Sequence, residues 1–319
     1  VVQELENRPV RRSITLLGGF VALTLGLAAC GVESGDFTST TGEMITTTPT
    51  STSTTTQSVT TTAEATTSTT APEGMGVAAY LLLEELEDGA GGPFLVPVYR
   101  EMPVGAELAD VALEALVTGS TEDEGAGTPS ISSAIPEGTT VIGVEVDGAL
   151  ARVDMSDEFD DSGGSFSMVA RLAQVVYTLT RIDGIGQVEF LIEGQPVTTF
   201  SSEGIVLDGP QERSDYYDLL PPIFVDFPAW GQPVTSPIST RGLSNVFEAV
   251  SQVMLTDDDG LPLFEETVMA TCGTGCWGDW EIEIPYTIDR GQFGALIVWE
   301  ISAQDGGQVN VREYPVQLH

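Results

Sequence analysis

The chain has 319 residues and carries 48 Asp and Glu against 11 basic side chains, every one an arginine, for a formal net charge of −37. A surface this negative repels phosphate backbones and anionic lipid headgroups, which excludes nucleic acid and direct headgroup binding. The charge reads as solubility of an exported protein in preference to a dedicated cation-binding surface, and the 244 residues from 76 to 319 leave room for two domains.

Near the start, Arg8, Arg11 and Arg12 precede an apolar run of 16 residues from Ile14 to Ala29. A spanning helix needs about 20 apolar residues, so the run reads as an export signal. It ends in Leu27-Ala28-Ala29-Cys30, which resembles the lipobox of bacterial lipoproteins. The resemblance implies a diacylglyceryl group on the Cys30 thiol, removal of residues 1–29, and a membrane contact made only through that lipid at the outer face of the cytoplasmic membrane. A plain signal peptide or signal anchor with an incidental cysteine is the alternative. Arg11-Arg12 leaves the twin-arginine route open beside the general one. Residues 30–75 are dominated by Thr and Ser, as in the run Thr46 to Thr56. Apolar residues there are too few to offset chain entropy, which predicts a disordered stalk spanning about 35–40 Å on average. The same composition permits O-glycosylation.

The pattern changes at Val77. Val77–Leu83 and Phe94–Tyr99 read as paired strands, and Leu108, Val111, Ala112, Ala115 and Leu116 fall at helical spacing before Gly119. Thr140–Val146 and Ala149–Met155 alternate around Asp147-Gly148, which has two-residue hairpin chemistry. A second helix is expected with Val169, Leu172, Ala173, Val176 and Leu179 on its buried face and Ser165 or Ser167 as its cap. Val188–Ile192 and a short Val197–Phe200 follow as strands. This order predicts an α+β domain over 76–213: a mostly antiparallel sheet with two helices on one face.

Residues 214–220 read as a polar connector ending at Pro221-Pro222, between two units that fold separately. Beyond it, seven short strands are expected in 221–319: Ile223–Phe227, Ile238–Gly242, Ala249–Thr256, Thr267–Thr271, Trp280–Ile284, Ala295–Ser302 and Val309–Gln317. Seven short strands with turn signals between them predict an all-β immunoglobulin-like sandwich.

With Cys30 acylated, Cys272 and Cys276 remain, in Cys-Gly-Thr-Gly-Cys. Outside the cytoplasm disulfides persist, and two glycines and a threonine let the chain turn tightly enough to close one. Zinc would need two further ligands, which the sequence does not offer. Asp161-Ser162-Gly163-Gly164-Ser165 is similar to a serine-protease nucleophile segment, but a serine needs a base. The one histidine is His319 and lysine is absent, so it reads as a loop before a helix. Asp154, Asp157, Glu158, Asp160 and Asp161 do not follow the spacing of a calcium loop and read as solvated acids. No cofactor is implied. Among Trp230, Trp277, Trp280 and Trp299, the last lies in an apolar strand and reads as core. Trp277 and Trp280, beside the cysteine loop, are the candidates for a contact surface.

The first folded region resembles the GerMN domain of sporulation, germination and envelope proteins. The resemblance rests on Ala112-Leu113-Glu114-Ala115-Leu116 with Gly119, on Ala134 to Thr139, on Ala173 to Thr180, and on Phe190-Leu191-Ile192-Glu193-Gly194. The second resembles the immunoglobulin-like domain of bacterial spore-germination proteins, through Ser236-Pro237, Gly242, Asn245 to Ala249 and Ser302 to Gly306. The resemblance implies no catalytic residue and a role in contacting other envelope proteins or assembling with them. A glycan- or peptidoglycan-binding lipoprotein is the alternative.

Overall fold

A computed structural model of the chain describes residues 76–84, 92–161, 163–201 and 204–319, and these lie in one compact unit. Leu27, Ala28, Ala29 and Cys30, with the Thr/Ser-rich stretch, fall outside the described residues. Among the described residues no helix is long and apolar enough to cross a membrane.

In chain order the first region holds β1 (Gly76–Leu83), β2 (Phe94–Glu101), α1 (Leu108–Thr118), α2 (Glu122–Ala126), β3 (Ile131–Ser132), β4 (Val141–Asp147), β5 (Leu150–Met155), α3 (Ser165–Thr180), β6 (Gln187–Ile192), β7 (Gln195–Pro196), β8 (Thr199–Phe200) and β9 (Ile205–Val206). A 3-10 turn, Arg213–Leu219, leads into β10 (Ile223–Phe227), β11 (Pro233–Val234), β12 (Ile238–Ser244), β13 (Val250–Thr256), β14 (Pro262–Met269), β15 (Gly278–Ile284), β16 (Gln292–Ile301) and β17 (Gln308–Leu318).

The class is α+β followed by an immunoglobulin-like sandwich. The first region divides its strands between an antiparallel sheet, β2-β1-β3, and a second sheet, β4-β5-β6-β7, with β8 and β9 forming a separate pair. Within the second sheet β5 and β6 run parallel, because α3 carries the chain back across between them. α3 is packed against α1, β1 and β6. Its residues from Ala170 to Leu179 are all buried, so it is a central helix, where the sequence period suggested one buried face. Val169 is only half-buried, and the N-cap position falls to Gly164, with no side-chain cap from Ser165 or Ser167.

Burying α3 on all sides requires partners for its polar side chains, and β1 supplies them. Beside β1, β3 reaches only Leu82 and Leu83. The Tyr80 N–H therefore donates to Thr178 Oγ1 (3.0 Å), and the Tyr80 carbonyl accepts from Gln174 Nε2 (2.8 Å). Gln174 Oε1 takes the Ala134 N–H at 2.9 Å. Two helix side chains complete what a longer β3 would otherwise satisfy.

The sandwich pairs β10-β12-β15 with β11-β17-β16-β13-β14. Gly242, on the central strand β12, is pressed between β10 and β15 of its own sheet. A Cβ there would overlap the Phe224 carbonyl oxygen and lie 2.8 Å from the Trp280 ring. The strand expected at Thr267–Thr271 begins earlier, at Pro262, since the Asp259-Gly260 turn follows β13 directly.

The segment expected to be a polar connector is a turn anchored in the core: Tyr216, Leu219 and Leu220 are buried, while Ser214, Asp215 and Asp218 stay exposed. The described hydrophobic core runs unbroken from Ala78 to Leu318.

Candidate interaction surfaces

The seam between the two regions is built around one carboxylate. Asp226, at 8% exposure, stands on β10 in the run Ile223-Phe224-Val225-Asp226, all buried. Its Oδ1 accepts the Tyr80 hydroxyl proton from β1 and Arg213 Nη1 at 2.9 Å; its Oδ2 accepts Arg181 Nη1 at 2.8 Å. Arg181 also donates to the Asp226 carbonyl, and Arg241 Nε stands 3.8 Å from Oδ2. Arg213 goes on to Thr180 Oγ1 (2.8 Å) and the Tyr177 carbonyl (3.2 Å), and lies over the Tyr177 ring at 4.7 Å. Burial alone would raise the Asp226 carboxyl, but Arg213, Arg181 and the Tyr80 hydroxyl outweigh it and hold it at about 2. Burial pushes the Tyr80 hydroxyl up to about 12, so it remains a donor.

Three of the eight arginines beyond residue 29 thus meet at one acid. The other five are also engaged: Arg100 with Glu124, Arg152 with Glu189, Arg290 with Asp258, Arg312 over the Phe94 ring, and Arg171 on three carbonyls, of Ala134, Phe159 and Asp161. Arg171, Arg181 and Arg213 tie buried parts of the fold together, while Arg290 pairs with Asp258 at the surface.

Backbone joins the regions as well. The Trp230 N–H donates to the Pro97 carbonyl (2.8 Å) and its carbonyl accepts the Tyr99 N–H (3.0 Å), adding Trp230 to the edge of β2. The next residue, Gly231, donates to Pro315 on β17 at 2.8 Å. Beside this crossing opens a cleft of about 680 Å³, with Leu83, Ile131 and Trp230 as apolar wall and Glu84, Asp123 and Glu313 as acids.

Cys272 and Cys276 are joined by a disulfide with their Cα atoms 5.8 Å apart. The loop is also tied by backbone: the Thr274 N–H donates to Val246 O (2.8 Å) and the Gly275 N–H to Asn245 Oδ1 (2.9 Å). Trp277 is half-buried, its ring 5.4 Å from that of Tyr217 in the 3-10 turn, so the loop braces the join between the regions. Trp280 is not a surface residue. In Gly-Asp-Trp-Glu-Ile-Glu-Ile the strand period of two sends it inward, where it is 3% exposed. Asp154 caps the Gly194 N–H at 2.9 Å, and among the described residues no group of three or more acids, cysteines or histidines is arranged to hold a metal.

An α+β domain joined through a buried ion cluster to an immunoglobulin-like sandwich is the class these features define. Family models agree: residues 78–198 match Germane, described as sporulation and spore germination, and residues 222–307 match Gmad2, the immunoglobulin-like domain of bacterial spore germination. The chain carries a Germane domain followed by a Gmad2 domain. Among solved structures, the first GerMN domain of the sporulation protein GerM from Bacillus subtilis is 21% identical; the match covers 44% of this chain and 99% of that one, with a TM-score of 0.36. The tandem GerMN domains of the same protein are 15% identical, covering 67% of this chain and 62% of that one, with a TM-score of 0.37. No curated protein matches the chain.

Proposed function

We propose that this is a lipid-anchored, non-catalytic protein of the bacterial cell envelope, held at the outer face of the cytoplasmic membrane. There it contacts or assembles other envelope proteins in sporulation, germination or envelope maintenance. The observation that carries the reading is the order of parts along the chain. A lipobox-like Leu27-Ala28-Ala29-Cys30 precedes a Thr/Ser tract with the reach of a tether, and two domains of germination families follow. A Germane and a Gmad2 domain tied into one unit present fixed surfaces on both, which suits a docking role. The residues that general acid-base or nucleophilic chemistry draws on most often are scarce: there is no lysine and one histidine, His319.

Photo-crosslinking in intact cells, with mass spectrometry of what is captured, tests the reading. Envelope proteins crosslinked to the two domains support it, and capture of cytoplasmic proteins alone refutes it. Binding to glycan or peptidoglycan is the second reading. It rests on Trp277, the partly exposed member of the tryptophan pair, and saturable retention on purified cell wall would favour it.

A further inference from the structure

β17 has an edge that its neighbours leave partly open. On one side it pairs with β16 along most of its length. On the other, residues 231–234 run parallel to it: the Gly231 N–H meets Pro315 O, the Gln317 N–H meets Gln232 O (3.0 Å), and the His319 N–H meets Val234 O (3.0 Å). The odd-numbered residues therefore turn their backbone groups away from β16. The same alternation applies to Glu313 and runs back to Val311, where a β-bulge opposite Trp299 ends the regular pairing. No described strand lies beside them, because the neighbouring chain has turned at Trp230 to bond β2. An exposed edge of this kind is a template for another strand, and natural proteins usually cover it or guard it.

This edge is also a wall of the 680 Å³ cleft. Val311, which lines the cleft, is exposed at 45%, and the edge there is guarded only by the bulge next to it and by the charge of Glu313. Glu84 and Asp123 line the cleft, with Glu313 on the edge itself; Glu124 is already paired with Arg100, and Arg312, the one base in the lining, lies over the Phe94 ring. Trp230, half-buried, adds an aromatic side chain to the lining.

We infer that the cleft receives an extended, basic segment of a partner protein, which adds as a strand to the Val311–Glu313 edge and sets its lysine or arginine side chains against Glu84, Asp123 and Glu313. Main-chain hydrogen bonds give such docking its affinity, and the flanking charges choose the sequence. The chain's own Thr/Ser tract does not fit, since residues 31–75 hold five acids and no basic residue. A second copy of a chain with net charge −37 is repelled likewise. The inference deepens the docking role proposed above and rests on it, but its test needs neither the lipid nor a cell.

The test is fluorescence anisotropy with the purified full chain and a labelled peptide alternating Lys and Val. The expected result is saturable binding that weakens as salt rises, with a peptide alternating Glu and Val inert. A Lys-Val peptide N-methylated at alternate residues should bind at least tenfold more weakly, since it cannot complete the strand ladder. Val311→Pro removes an edge N–H at a site where an edge strand tolerates proline, and Glu313→Lys reverses a wall charge without touching the backbone. Each should weaken binding tenfold or more with an unchanged circular dichroism spectrum; should Val311→Pro unfold, the N-methylated peptide reads the same backbone bonds. Equal binding of the Glu peptide, indifference to N-methylation, indifference to Glu313→Lys, or uptake of muropeptides with the Lys-Val peptide inert would each overturn the inference. Failure of lipidation at Cys30 would leave all these readouts unmoved, so the two proposals fail separately.

Discussion

Tyr80 and Asp226, 146 residues apart, share a hydrogen bond at the buried seam between the two domains. Arg213 donates to both, at 3.2 and 2.9 Å, and so ties the turn between the domains to each of them. Removing the acid leaves Arg181 and Arg213 facing each other without an anion. Breaking a buried pair by deleting one member typically costs 3–5 kcal/mol. Asp226→Ala should therefore lower stability by about 3 kcal/mol, near the bottom of that range because Arg213 and Arg241 keep some solvent contact. Urea denaturation checks it; a loss under about 1 kcal/mol would mean the cluster contributes little.

The same carboxylate gives a pH dependence with a definite sign. Its folded value, about 2, lies below the ordinary 3.8. A depressed acid stabilises the fold at pH values above its unfolded value, and that contribution is lost as pH falls through the folded one. For Asp226 it is about 2 kcal/mol, disappearing between roughly pH 4 and pH 2. Other carboxylates titrate there too, so the quantity to measure is the difference in urea midpoint between the parent and Asp226→Asn. The gap should close toward pH 2, and a gap that is constant with pH contradicts the assignment.

Because the seam takes residues from both domains, the folded part should unfold as one unit. Residues 76–213 expressed alone keep Arg181 and Arg213 but lack Asp226, and should be markedly less stable than the intact chain. Calorimetry should show one transition. Two transitions, with each half melting alone at its own unchanged temperature, would show that the seam does not couple them.

Gly242→Ala should destabilise the sandwich by about 1–3 kcal/mol through overpacking against the Phe224 carbonyl and the Trp280 ring. Trp280→Ala should cost about 3–5 kcal/mol, and Trp277→Ala less than half of that, since it loses mainly the Tyr217 contact. The disulfide closes a loop of five residues that backbone bonds already hold, so reduction should cost about 2 kcal/mol or less. Melting temperatures of the three variants and of the reduced chain order these effects; a reduced chain that unfolds outright, or a Trp277 variant weaker than the Trp280 one, contradicts the packing described.

Much of the fold was legible because local chemistry and burial agree. Asp147-Gly148 marked a hairpin, and the alternation of β5 matched its buried face. What misled was context beyond the local window. The run Ala170–Leu179 shows a helical period, but only the two sheets around it reveal that every face is covered. Arg213-Ser214-Asp215 looks like a solvated connector until Asp226 arrives from the following strand to neutralise the arginine. Two signals were present and overlooked. Thr121 and Glu124 form a capping box that announces α2, and Trp280-Glu281-Ile282-Glu283-Ile284 alternates so as to place its tryptophan inside. The cleft was not legible at all, since its walls come from four distant stretches of chain.

Anchoring through Cys30 is the claim on which the proposed role stands. The direct measurement is metabolic labelling with palmitate in a bacterial host, followed by membrane fractionation, for the parent and for Cys30→Ser. A labelled, membrane-bound parent beside an unlabelled variant that stays unprocessed or becomes soluble is the expected result. Equal labelling and equal fractionation of the two would contradict the account.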